Sequence, residues 1–263
     1  MLEKRMLGVT DVEVSRIGIS SSYGADKAVY EEAFDRGCTY FTWGTFIKGR
    51  SAPFREFIQG VTSSGNRERL SIGLLSYSHS RLLGDMFLQS AFKQLGVDYI
   101  DGLLLGYYSR RPPQRILDWA LEVKAKGLVR AIGITTHNRN IVAPLAAEQI
   151  LDYFHIRYNA AHRGAEQDIF AKIKGSNPGL VSFTATCWGK LMDSKKIPSG
   201  IMRPTAGDCY RFVLAREDVN CCMMGVKNLS MLKENLAELE KGHMSAEELT
   251  RMREVGDYVY GRR

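Results

Sequence analysis

What is scarce in this chain narrows its reading first. Five cysteines (Cys38, Cys187, Cys209, Cys221 and Cys222) stand without CxxC or metal-finger spacing, so no metal centre is expected. Their odd number, with no h-region after Met1-Leu-Glu-Lys-Arg5, suggests reduced thiols in a cytoplasm rather than a disulfide framework. No apolar run approaches the roughly 20 residues of a membrane span, and no membrane role is expected. The net charge is +7, yet basic residues are scattered and do not interleave with aromatics. That pattern favours solubility and an anionic small molecule over nucleic acid. Linkers, internal repeats and low-complexity segments are all missing, which leaves one domain over residues 1–263.

What is present is a regular alternation of buried strands and helices. The apolar run Leu103-Leu-Leu-Gly-Tyr107 sits between two helical patterns, Leu82–Leu95 capped by Gly96 and Arg115–Lys126 closed by Gly127. Val129–Ile134 then supplies another buried strand, completing a βαβ unit and requiring a parallel sheet. Upstream, alternating residues around Thr10-Asp11 predict a hairpin, followed by a strand at Arg16–Ile19, a helix at Ala25–Arg36 and a strand at Thr39–Thr42. Phe54–Val61 is helical by spacing, and Leu70–Leu75 is the third strand. Later strands are expected at Tyr153–Tyr158, Leu180–Thr184 and Cys221–Gly225. Further helices are expected at Val142–Gln149, Glu166–Lys174, Asp208–Leu214 and Leu229–Leu239, with a last one opened by the capping box Ser245-Ala-Glu-Glu248. Eight strands alternating with helices over about 250 residues predict a (β/α)8 TIM barrel with an N-terminal β-hairpin.

In such a barrel, chemistry gathers at the C-terminal strand ends. The polar groups there include His137, Arg139, Arg157, Asn159, His162, Arg163, Trp188, Lys190 and Lys227, with Arg211 on the short helix.

The segments Val14-Ser15-Arg16-Ile17-Gly18, Leu95-Gly-Val-Asp-Tyr-Ile-Asp101, Gly127-Leu-Val-Arg-Ala-Ile-Gly133, Tyr158-Asn159 and Glu234-Asn235-Leu236 resemble the aldo-keto reductase family nearly end to end. That resemblance implies a barrel that reduces carbonyls with NADPH, using an Asp, a Tyr acid, a Lys and a His. Its four positions fall here on Thr42, Ile47 (Phe46 if the register slips by one), Leu75 and Gly106, and Ile47, Leu75 and Gly106 can neither donate nor tune a proton. The family's Ser-Asn that helps hold the carboxamide corresponds to Thr135-Thr136, the Gln preceding its Tyr-Asn to Arg157, and the stacking aromatic to Thr184. The Gln of the eighth-helix motif is Met231. Lys227 and Asn235 remain as cofactor-binding candidates near a helix N-terminus, so NADP(H) binding stays open.

A cationic mouth with Trp43 and Tyr77 as an aromatic wall suits a planar anionic molecule held by guanidinium forks. His137 is the leading acid/base candidate, with Tyr77 or Tyr107 behind it. Plainer readings stand beside these. Arg157 could pair with Glu166, His162-Arg163 could cap a helix, Trp188 could pack as core, and His155 reads as a satisfied core histidine. Three functions follow: acid/base chemistry on a small anion without hydride transfer, an atypical NADPH reductase acting on a carbonyl or imine through a relocated donor, or a non-catalytic binding protein. The connection Tyr107–Arg111 is short, which predicts an open pocket in a monomer or one closed by a second subunit in a homodimer.

Overall fold

Short strands buried on both faces, each returned by a helix, are expected to roll up rather than lie flat. In the computed structural model, which describes residues 2–47, 49–197 and 200–261, they do so. A two-stranded antiparallel hairpin, β1 (Lys4–Met6) and β2 (Glu13–Ser15), precedes the barrel. The barrel strands are β3 (Ile17–Ser20), β4 (Tyr40–Trp43), β5 (Ser71–Ser76), β6 (Ile100–Leu105), β7 (Val129–Thr136), β8 (Tyr153–Arg157), β9 (Gly179–Phe183) and β10 (Cys221–Met224), parallel and closed by the pairing of β10 with β3. The (β/α)8 architecture and the N-terminal hairpin expected from the sequence are both present.

The helices are α1 (Lys27–Asp35), α2 (Ala52–Ser63), α3 (Arg81–Leu95), α4 (Gln114–Ala125), α5 (Val142–Ala147), α6 (Ala206–Leu214), α7 (Leu229–Leu239) and α8 (Ala246–Tyr260). Helix α3 ends on Gly96 in the left-handed conformation, and α8 opens with the Ser245–Glu248 capping box. One expected helix is largely missing. Residues 166–174 form only a π-helical turn, Glu166–Phe170, followed by a tighter Lys172-to-Ile169 bond. Left-handed Asn177 and Pro178 then end the segment, since a residue before proline is pushed out of the α region.

The barrel interior is built around two tyrosines and a histidine. Tyr40 bonds His155 Nε2 at 2.9 Å, and Tyr153 packs edge-on against the same imidazole. Glycines make the room: a Cβ on Gly73 would lie 2.7 Å from the Tyr40 hydroxyl, and one on Gly102 would lie 2.7 Å from that of Tyr153. Leu7, Val12 and Val14 of the hairpin plug the N-terminal end of this core. Outside the barrel, fully buried Asp101 accepts from Arg67 (2.7 Å), Arg130 (3.0 Å) and the Ile72 amide (2.8 Å). Segments 95–101 and 127–133, which contain Asp101 and Arg130, therefore tie neighbouring strands together here.

Candidate active site

Inward-pointing positions at the C-terminal strand ends are Thr42, Leu75, Gly106, Thr135, Arg157 and Phe183, with alternation along each strand setting the direction. Above them stands a collar of exposed rings. Phe46 meets Tyr77 edge-on at 4.7 Å, Tyr107 meets His137 at 4.9 Å, and His137 meets Phe183 edge-on at 5.2 Å. Tyr77 lies over Gly106, and Tyr23 lies over Gly225 just past β10. Arg157 pairs in register with Phe183 across β8 and β9 and places its guanidinium 5.8 Å from the Trp188 ring centroid. Lys190 Nζ approaches that ring to 5.9 Å.

Burial and, after it, the Arg157 charge push the His137 imidazole below its ordinary value. His137 is therefore largely the neutral base at neutral pH. Tyr77 moves the other way: burial and the neighbouring Tyr107 raise its phenol. Among the described residues no carboxylate lies within ion-pair distance of Arg157. Its expected partner Glu166 instead accepts from the Tyr158 hydroxyl at 2.7 Å and pairs with Arg253 at 3.3 Å. An inward cation without a counter-ion is the electrostatic feature of this mouth.

Several predicted site residues lie elsewhere, each for a local reason. Trp43 is fully buried on the helix side of β4, stacked on Phe54, because it alternates with inward Thr42. It forms no part of an exposed wall. Arg139 is engaged with Asp168 at 2.7 Å and packs over Gly164. Arg163 bonds the Ala160 and Arg253 carbonyls and both oxygens of Asp257, which clamps α8 onto the loop after β8. Arg211 holds Glu248 with two bonds and the carbonyls of Gly242 and His243, in the turn between α7 and α8 beyond the C-terminal end of α7. Asn159 is fully buried; its amide donates to Thr184 O at 2.8 Å and its oxygen accepts from the Ala161 and His162 amides. Its role is to join the loops after β8 and β9.

The loop after β9 is held in an unusual conformation. Thr184, Cys187 and Trp188 all have positive φ (63°, 52° and 55°), a cost that persists only where surroundings enforce it. Asn159 enforces it at Thr184, and His162 sits beneath Trp188 (ring centroids 6.4 Å) with Cys187 Sγ 3.7 Å from its Nδ1. Burial raises the Cys187 thiol, so this contact does not make a thiolate. Trp188 itself is 62% exposed, which is incompatible with a core role.

Lys227 is exposed after β10, whereas Asn235 is buried on α7. Thr136, one of the carboxamide-holding positions implied by the resemblance, accepts from the Asn138 amide at 3.0 Å. Sequence reasoning missed Phe183: the aromatic at the end of β9 is this residue, one before Thr184. The signal was available, since Phe183 has the same parity as inward Val181. Among the described residues no group of three His, Cys, Asp or Glu is placed to hold a metal ion, and no helix is long and apolar enough to cross a membrane.

With the fold and mouth in view, comparison with solved structures is decisive for the architecture. Aldo-keto reductase AKR11C1 from Bacillus halodurans superposes in its holo form with a TM-score of 0.82, covering 97% of this chain and 96% of that one at 18% identity. Its apo form gives a TM-score of 0.79 at 19% identity, with the same coverage. The fold is that of an aldo-keto reductase. No protein-family model matches the chain, and no curated protein matches it. The likeness therefore extends over the whole reductase barrel, while its sequence signal is faint.

Proposed function

We propose that this reductase-like barrel acts on a small, planar, anionic molecule by acid/base chemistry, without the family's standard carbonyl reduction. The observation that carries this reading is Arg157, an inward guanidinium with no carboxylate partner among the described residues, 5.8 Å from the Trp188 ring centroid and in strand register with Phe183. A ligand carboxylate would complete that charge with a two-pronged hydrogen bond, while its ring lies against the aromatic collar. His137 borders the same space through Phe183 and is kept neutral, so it would take a proton from the bound ligand. Tyr107, in ring contact with His137, orients the imidazole. Of the positions that correspond to the family's acid and its tuning groups, Ile47, Leu75 and Gly106 offer no donor, and Thr42 offers only an aliphatic hydroxyl.

A second reading, an NADP(H)-dependent reductase with a relocated donor, is favoured by two observations. Phe183 supplies a ring at the end of β9, and Lys227 stands exposed after β10 for a phosphate. The remaining residues fit a nicotinamide poorly. Thr136 is engaged with Asn138, and an uncompensated Arg157 disfavours a positively charged pyridinium alongside it. Of the two relocated donors, Tyr77 has its phenol raised when the chemistry needs it lowered, and His137 is pushed toward its neutral form, a poor acid. No step is derived through the cofactor.

Titration with NADPH followed by nicotinamide fluorescence separates the two. The first reading expects no saturable binding up to millimolar cofactor. Micromolar binding abolished by Lys227→Ala would overturn it in favour of the reductase.

A further inference from the structure

The opposite end of the molecule holds a cavity of about 410 Å3, within the size range of small-molecule sites. It opens where Leu2, Leu214, Leu236 and Leu239 converge beside Arg16, with Arg211 at its edge. The segment before β1 forms its outer wall, tied down by the Leu2 amide on Arg36 O (3.3 Å) and the Arg16 amide on Glu3 O (2.9 Å).

Arg16 is only 4% exposed, yet among the described residues no carboxylate lies within ion-pair distance of it. Its guanidinium donates to the carbonyls of Leu214 (2.6 Å) and Val219, and its remaining N–H groups have no acceptor among the described residues. Three acids line the cavity, Glu3, Asp35 and Glu240; Glu3 pairs with Arg5 at 2.9 Å and Glu240 lies 3.9 Å from Arg36, while Glu217, whose charge also reaches Arg16, pairs with Arg5 at 2.6 Å. Burial lowers the Arg16 pKa, as expected of a cation denied full compensation. Arg211, in contrast, is neutralised by Glu248.

A buried cation with no ion-paired carboxylate among the described residues, set beside four leucines, is complementary to an amphiphile with one negative end. We propose that this cavity binds an aliphatic monocarboxylate, its head on Arg16 and its chain between Leu214, Leu236 and Leu239. Burial of the apolar chain supplies affinity, and Arg16 supplies selectivity for the charged head. Occupancy would bind the N-terminal segment to α6 and α7, and a ligand that binds only the folded state raises its melting temperature. This site is independent of the mouth.

The test is calorimetric titration of the full chain with octanoate and with 1-octanol, alongside thermal melts. The proposal expects saturable octanoate binding that raises the Tm, with 1-octanol weaker by about tenfold or more. Leu239→Trp, which fills the cavity, should abolish binding, and Arg157→Gln should leave it unchanged. If Leu239→Trp does not fold, Leu2→Trp on the outer wall serves the same purpose. No saturable binding of octanoate, equal binding of 1-octanol, or undiminished binding in the filled variant would each overturn the proposal. Loss of binding in Arg157→Gln would also do so, because it would move the octanoate to the mouth.

Discussion

The ring of Tyr77 occupies the space above Gly106, so that a Cβ at residue 106 would come within 2.7 Å of Tyr77 Cε1. The absence of a side chain at the end of β6 and the aromatic collar of the mouth are thus one feature. Glycine there is required by the ring, and the ring fills what a larger residue would otherwise hold.

Placing a histidine at this position should therefore destabilise the protein. Gly106→His must displace Tyr77 and also crowd Thr135 Cγ2, 3.1 Å from the same Cβ. Overpacking of this kind costs about 1–3 kcal/mol. Chemical denaturation of Gly106→His and of the double variant with Tyr77→Ala measures it, with the second change expected to relieve most of the loss. Equal stability of Gly106→His and the parent would contradict the account.

The imidazole at the barrel centre makes stability depend on pH. Burial pushes His155 down to about 3, from an ordinary value of 6.5. Between those values the unfolded chain binds the proton and the folded chain does not. The stability associated with neutral His155 is therefore complete above about pH 6.5 and is lost as pH falls toward about 3, at up to about 1.4 kcal/mol per unit. His155→Gln can still bond Tyr40 but does not titrate. Its stability should fall less steeply over that window in denaturant melts taken at successive pH values, and a parallel pH dependence would refute the assignment.

Arg163 and Arg157 should separate cleanly in their effects. Arg163 bonds two carbonyls and Asp257 at 2.8–3.0 Å, so Arg163→Ala should lower stability by about 2–3 kcal/mol while leaving anion binding at the mouth intact. Arg157→Gln should do the reverse, since it removes an uncompensated charge. Paired unfolding and binding measurements check both, and a binding loss in Arg163→Ala that outlasts correction for its unfolded fraction would contradict this division.

The barrel was legible in the sequence because buried strands and capped helices are local patterns. Gly96, the Ser245–Glu248 box and the apolar runs each specify their element without knowledge of the rest. Partnership across the chain was not legible. Arg211 and Glu248 are 37 residues apart and Arg163 and Asp257 are 94, and only the returning α8 brings them together. The same limit applied to Arg157, whose sequence-near carboxylate Glu166 is captured by Tyr158 and Arg253. Trp43 was misplaced for a simpler reason: a shift of one residue along a strand exchanges its two faces, and Thr42 holds the inward one. Phe183 was overlooked by the same one-residue margin.

The central claim is that Arg157 awaits an anion beside Trp188, and the tryptophan reports on it. Trp43 and Trp119 are buried, so Trp188 is the solvent-exposed indole whose fluorescence a ligand at the mouth would change. The measurement is a fluorescence titration with benzoate and with its neutral isostere benzamide, repeated on Arg157→Gln and with Trp188→Phe as the signal control. The account predicts saturable benzoate binding, weaker by about tenfold or more for benzamide and for Arg157→Gln, a difference of about 1.4 kcal/mol. Equal responses to benzoate and benzamide, or undiminished benzoate binding in Arg157→Gln, would contradict it.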